Sequence, residues 1–499
     1  MRKIKQQTAN LEALATGGLG RLLVGYSWPA LVAMTLNALY AVVDRVFIGQ
    51  GCGVDVMAGL QLAMPVMMLF GAFGVFVGAG HSAMLSIKLG EGDGEACEKL
   101  LGELVAFKLA FFLVLPPLVF FNLDTVLGWC GADKVTPAAF EAAKTYLRLV
   151  VFSHLFSHLA FGLSAMQRAE GGAVRSMVCM VVGFGLNLVL DPLLIFGFRI
   201  PLPWGALSVP GMGIAGAAWA TNIAMFCSCA WALGYYARGR TAVRLRLSRI
   251  GFYRRLAWRS ASVGVAPFLQ QAMSSLIVVS LQLAFSRWMP DEASRTAEIA
   301  SLGVFNGALI LVIMPMLGCQ QGLQPIFGYN WGARNFRRVF GALKLGFGVT
   351  TAMAFFAFVV QVVPPFPTLM AKMFVSGDSP DIIELAARDL ALANCMIWSI
   401  SINVLATTYF QSIGKPAVSI WLSMLRQGFV LLPIVWILPH FIDDKAFAIW
   451  LSMPVSDVIC QLATIPPLLM HVRFLLKVRT RRAEFGKIRT LLKKETQAQ

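Results

Sequence analysis

Long apolar runs broken by short polar connections dominate the chain. A helix needs about 20 predominantly apolar residues to cross roughly 30 Å of hydrocarbon. Twelve stretches meet that length: residues 26–48, 57–84, 100–123, 143–167, 173–198, 212–237, 256–289, 298–326, 340–363, 385–412, 417–441 and 446–472. The connections alternate in charge. Lys3 and Arg21, Lys88 and Lys99, Arg168 and Arg175, the run from Arg238 to Arg255, Arg334 with Arg337 and Arg338, Lys415, and the stretch from Arg473 all fall on one side. The other side receives Asp55, Asp124 with Asp133, Asp291 with Glu292, Asp378 with Asp381, and Asp443 with Asp444. Because basic loops are retained in the cytoplasm, the pattern predicts twelve spans with both termini inside.

Composition strengthens this reading. A length of 499 residues is enough for about three soluble domains of ~150 residues each. Hydrophobic residues, however, make up 58% of the chain and charged ones 13%, where a soluble protein carries about 25% charged. An ordinary soluble enzyme is excluded, and the abundance of Gly, Pro and Trp fits helices buried in a bilayer. The net charge of +17 lies in loops and in the C-terminal stretch rather than on one soluble face, so topology explains it better than nucleic acid does. The nine cysteines lack zinc or redox spacing, and no disulfide framework is expected. The first 18 residues are polar and show no removable signal, so the first span is expected to act as its own insertion signal.

The two halves resemble each other. GAGHSAMLSIKLGEG from Gly78 and QQGLQPIFGYNWGAR from Gln320 superpose Gly80 on Gly322 and Gly90 on Gly332, a shift of 242 residues. Nearly the same shift puts Pro192 on Pro433 and Gly171 on Gly414. The expected fold class is therefore an all-α polytopic membrane protein of two six-helix parallel repeats: an N-terminal lobe over 1–237, a basic linker over 238–259, a C-terminal lobe over 260–472 and a basic tail over 473–499. Parallel repeats related by an axis along the membrane normal place a substrate cavity between them near the midplane.

Charge inside a span costs at least about 2.5 to 3.5 kcal/mol, which makes an intramembrane carboxylate a functional candidate. Asn37, Tyr40 and Asp44 share one face of the first span,. Asn187 and Asp191 stand one turn apart in the fifth, where Pro192 frees a backbone carbonyl,. Asp44 and Asp191 have no acidic counterpart in the second half at that shift, so the acidic pair is expected in the first lobe alone. Each has a structural alternative: Asp44 can pair with Arg45 at the helix end, and Asp191 can serve packing only. Asp457 in the twelfth span has Arg426 at similar depth in the eleventh, which suggests a buried pair that fixes packing,. Thr221 and Asn222 offer oxygen ligands or helix contacts. Tyr146 is a cavity residue or an interface anchor. His154 and His158 stand one turn apart with no third ligand nearby, which favours an interior polar pair over a metal site,. No phosphate loop, nucleophile elbow or HExxH motif occurs, so neither ATP hydrolysis nor hydrolytic chemistry has a site,.

Several segments together carry a family likeness: YAVVDRVFIGQG from Tyr40, VGAGHSAMLSIKLGEGD from Val77, QRAEGG from Gln167, LNLVLDPLLIFGF from Leu186, GIAGAAWATN from Gly213 and LQPIFGYNWGARN from Leu323. In this order they resemble the MATE (multidrug and toxic compound extrusion) transporters, more narrowly their prokaryotic DinF-like and MepA-like branch, over roughly residues 20–470,. The resemblance implies a V-shaped two-lobe transporter that exchanges cationic or amphipathic drugs for H+ or Na+. It also implies a first-lobe polar site of Asp44, Asn187 and Asp191, joined by Thr221 and Tyr146. Another branch of the family carries acids in the seventh and tenth spans, where this chain has Gln270, Gln271 and Asn394.

The expected function is thus a cation-coupled antiporter, not an enzyme, in a bacterial inner membrane. Asp44, Asp191, Asn187 and Thr221 would carry the coupling ion, and Asn37, Tyr40, Tyr146, Gln271 and Asn306 would line the substrate cavity. No cofactor beyond H+ or Na+ is expected; Asp44, Asp191 and Asn187 would ligate a metal ion only if that ion is Na+. The partners are small cationic or amphipathic molecules and membrane lipids, not nucleic acid, and the molecule acts as a monomer. The alternative is a flippase for a lipid-linked saccharide precursor, whose cavity would be rich in Arg and Lys; the first-half spans show acids rather than bases.

Overall fold

The computed structural model describes residues 12–52, 54–130, 136–202, 205–239, 241–374 and 380–498. Twelve spans follow one another: α1 (Leu19–Cys52), α2 (Val54–Glu91), α3 (Gly94–Phe121), α4 (Pro137–Ala169), α5 (Ala173–Phe196), α6 (Gly213–Ala237), α7 (Arg254–Trp288), α8 (Glu292–Gly332), α9 (Phe336–Val362), α10 (Pro380–Ala393 and Ile397–Ser412, bent by 40° between them), α11 (Pro416–His440) and α12 (Lys445–Ala498). The loop after α5 folds into an antiparallel hairpin, β1 (Gly197–Leu202) and β2 (Gly205–Pro210), with Leu202 opposite Gly205. It is a small addition to an otherwise helical protein. The basic stretch after residue 473 continues α12 without a break.

Helix starts are fixed by local chemistry. Asp93 caps α3 by accepting from Ala96 N at 3.0 Å, Thr136 caps α4 with Pro137 behind it, and Asp291 caps α8 by accepting from Ser294 N at 2.7 Å,. The repeat is visible at these joints. Asn335 caps α9 as Asp93 caps α3. The residues before the two caps, Arg334 at φ 55° and Gly92 at φ 77°, take the same left-handed conformation, as do Gly171 at 96° and Gly414 at 71° after α4 and α10,. Each pair except the last lies at the 242-residue shift, and that one lies a residue beyond it.

We call the side of the membrane carrying the 238–253 linker proximal and the other distal. Proximally the halves merge. One core joins Leu14, Leu22, Leu23 and Tyr26 to Phe327, Leu343, Tyr409 and Phe410. A second joins Leu100, Leu104 and Leu163 to Val243 and Val263. The helices meet there at backbone distance. A Cβ on Gly80 of α2 would lie 2.1 Å from Ser260 O of α7, and one on Gly322 of α8 would lie 2.7 Å from Ser27 N of α1. Gly90 and Gly332 form the crossing of α2 with α8, where each Cβ would fall 2.0 Å from a carbonyl oxygen of the other helix. Distally the cores separate: one holds only first-lobe residues such as Leu60, Phe70, Val150 and Ile195, the other only second-lobe residues such as Phe285, Leu302 and Trp450. Sealed at one end and split at the other, the lobes form a V.

The segments leading into each half are exchanged. Leu14 O and Gly17 O accept from Arg338 of the second lobe at 3.2 and 2.7 Å. The linker is held on the first lobe, where buried Glu170 accepts from Val243 N at 3.2 Å and buried Glu103 from Tyr253 N at 2.8 Å. Arg246 and Arg249 pair with Glu98 and Glu95 over the same surface.

Candidate functional site

The i, i+4 spacing of Asn187 and Asp191 stacks both side chains on one face of α5, and that face is fully buried against α1 and α6,. With its amide nitrogen donating to Asp191 Oδ2 at 2.8 Å, Asn187 turns its oxygen to Thr221, accepting from N at 3.1 Å and from Oγ1 at 3.2 Å. Asp44 comes from α1 to within hydrogen-bonding reach of Asp191 and is itself 9% exposed. Tyr146 of α4 is buried within electrostatic reach of Tyr40, Asp44 and Asp191. Tyr40 stacks on Phe184 with ring centroids 5.6 Å apart. Four helices thus converge on two carboxyls inside one lobe. Two carboxyls that share a hydrogen bond need a proton between them, and without it they repel each other across a medium that screens poorly.

The other residues singled out from the sequence lie elsewhere. Asn37 is half-buried on α1, nearly two turns proximal to Asp44; Gln271 is exposed on α7 and Asn306 half-buried on α8. Asn222 turns away to donate to Leu149 O at 2.9 Å. Asp457 meets Arg426, Nε to Oδ1, at 2.8 Å. His154 stacks on Phe70 at 4.5 Å and places Nε2 3.3 Å from Met67 Sδ; among the described residues no three His, Cys, Asp or Glu side chains form a metal-ligand group.

Two expectations are corrected. A buried acidic pair is not confined to the first lobe. Glu298 of α8 and Asp389 of α10 lie within hydrogen-bonding reach of each other near the distal ends of their helices. Trp450 Nε1 donates to Glu298 Oε2 at 2.8 Å and Ser301 Oγ to Asp389 Oδ2 at 2.7 Å. The helices differ from those of the first pair, so a shift along the repeat does not find it. Nor are the first-half spans free of bases: Lys108 of α3 is 1% exposed and donates to Gly74 O of α2 at 2.7 Å. A charged residue within a predicted span is the signal that would have found it.

A family model, MatE, matches residues 29–193 and 271–437. The multidrug export protein MepA of Staphylococcus aureus is 22% identical over 445 residues, covering 89% of this chain and 92% of its own. The protein of the same name from Staphylococcus haemolyticus is 22% identical over 456 residues, covering 88% and 91%. A crystal structure of MATE in complex with MaL6 superposes with a TM-score of 0.83 at 20% identity, over 93% of this chain and 99% of that one. An outward-facing multidrug resistance MATE family transporter of the MOP superfamily gives 0.81 at 22%, over 93% and 98%.

Proposed function

The chain belongs to the MatE family, whose members are membrane transporters rather than enzymes, and from that premise we propose that it exports cationic or amphipathic compounds in exchange for H+ or Na+. The observation that carries this reading is the contact of Asp44 with Asp191 inside the first lobe, backed by Asn187, Thr221 and Tyr146. Protonated, the pair is held by its shared hydrogen bond and offers little attraction to a cation. Deprotonated, it presents up to two negative charges at a buried, poorly screened position, where attraction for a cationic drug or for Na+ is strong,. Coupling ion and cargo then compete for one set of oxygens, and rocking of the lobes exposes that set to each side in turn. The MepA relatives are named multidrug export proteins, which agrees with this direction of transport. With the basic proximal side taken as cytoplasmic, the distal split opens outward and cargo leaves there.

The test is ethidium efflux from proteoliposomes with pH and Na+ gradients imposed separately. The wild type exports dye under one of the two gradients, which identifies the coupling ion. Asp191→Asn abolishes gradient-driven efflux while the protein still inserts and folds; efflux retained at wild-type rate in that variant removes the pair from the mechanism.

A further inference from the structure

The second lobe contains a polar recess that the exchange site does not use. Gln270, Gln320, Asn403, Thr407, Ser423 and Arg426, contributed by α7, α8, α10 and α11, line a small recess of about 20 Å³ that opens toward solvent, room for one small polar group rather than a whole drug,. Arg426 stands where α11 widens into a π-helix over Leu425–Leu431. Pro433, which has no N–H to give the helical ladder, follows two residues later,.

Half of these side chains are already bonded. Asn403 Nδ2 donates to Thr464 Oγ1 at 3.0 Å, Gln320 Oε1 accepts from Thr408 Oγ1 at 2.7 Å, and Arg426 Nε donates to Asp457. Two hydroxyls are left over. Thr407 Oγ1 and Ser423 Oγ have no hydrogen-bond partner although their residues are only 8% and 5% exposed. Arg426, held by Asp457 through Nε, turns the rest of its guanidinium along the same lining. A buried hydroxyl without a partner is unfavourable, and two of them lining one recess with a guanidinium can be satisfied together by a single acceptor. Asp457 does not supply it: its side chain is 6% exposed behind Arg426, whose own is 24% exposed. The recess therefore presents the outer edge of a guanidinium whose charge Asp457 offsets, together with two hydroxyls that can turn their O–H groups toward an acceptor. A carboxylate, planar and with two oxygens to accept from a guanidinium edge and two hydroxyls, matches this set.

We propose that this recess binds the carboxylate of a transported or inhibitory compound, giving the second lobe a recognition site that donates hydrogen bonds where the acidic pair of the first lobe accepts them. It stands independently of cation coupling, because binding to it needs no gradient.

The test compares two dyes that share a xanthene core, rhodamine 110 with a free carboxyl and rhodamine 123, its methyl ester. Binding to the purified protein is measured by fluorescence polarisation. Thr407→Val and Ser423→Ala each weaken the free acid about ten-fold, the effect of losing one charge-assisted hydrogen bond, and leave the ester within about two-fold of wild type. Gln320→Glu, which places a carboxylate in the recess, rejects the acid and keeps the ester, and it decides the matter if the hydroxyl variants do not fold. Asp191→Asn leaves the difference between the dyes intact, which separates this test from the previous one. Equal losses for both dyes, or none for the acid, overturn the proposal.

Discussion

Replacing Gly332 by alanine tests whether the α2–α8 crossing is a working contact of the proximally closed state. The new Cβ would lie 2.0 Å from Ile87 O and 2.9 Å from its carbonyl carbon. The obstacle is helix backbone, which cannot swing aside as the tip of a side chain can, so the helices have to part by about 1.4 Å to reach ordinary contact at 3.4 Å,. Overpacking of this kind costs about 1–3 kcal/mol. In a transporter that alternates between states the cost falls only on the state in which the crossing is closed. The equilibrium should then move about 5- to 150-fold toward the proximally open form. Spin labels attached through unnatural amino acids at positions 94 and 337 leave the nine native cysteines untouched, and double electron–electron resonance reads the distance across the proximal side. The short-distance population should fall in Gly332→Ala and also in Gly90→Ala, whose Cβ would meet Tyr329 O at 2.0 Å. It should not change in Gly71→Ala, where a Cβ meets nothing within 4 Å. A Gly332→Ala protein that folds and keeps the wild-type distribution refutes the argument.

Further outcomes follow from other contacts. Arg426→Met or Asp457→Leu alone leaves a buried charge unpaired and should destabilise the protein by about 3–5 kcal/mol, whereas the double variant should recover most of the loss in detergent melting curves; an additive double variant would show that the two groups do not act as a pair. Burial pushes the Glu170 carboxyl up to about 8 from its ordinary 4.5. A raised acid favours the protonated form in the docked state, so linker docking should be strongest below about pH 4.5 and weaken as pH rises through 8. Hydrogen exchange over residues 241–253, corrected for intrinsic rates, should therefore be less protected at pH 9 than at pH 6, and Glu170→Gln should flatten that dependence; an unaltered dependence in the variant would assign it to another group. Trp450→Phe strands Glu298 Oε2 and should lower stability by about 1–3 kcal/mol, seen in the thermal midpoint; an unchanged midpoint would mean that the indole bond contributes little.

The spans were legible because nothing but a bilayer explains twelve apolar runs, yet their ends were drawn short. α1 starts at Leu19 rather than 26 and α8 covers Glu292–Gly332 rather than 298–326, since helices continue past the hydrocarbon into residues that hydropathy scores as polar. Asp44, Asn187 and Asp191 stood out as polar groups inside such runs. Glu298 and Asp389 did not, because they occupy the first turns of their spans, where charge is ordinarily solvated; only the fold shows that they are covered and adjacent. The hairpin at 197–210 is rich in Gly and Pro and reads as a plain loop. The buried carboxyl groups of Glu103 and Glu170 bond to backbone N–H groups 150 and 73 residues away, and no local pattern encodes such partners.

The exchanged lead-in segments have a mechanical consequence. With Leu14 and Gly17 tied to Arg338, and Val243 and Tyr253 tied to Glu170 and Glu103, each bundle is tethered at its base to the other's floor by a short stay. Two stays running in opposite directions resist sliding and twisting while leaving a tilt about the membrane plane comparatively free. Cutting one of them should leave a molecule that still swings but no longer returns to the same register.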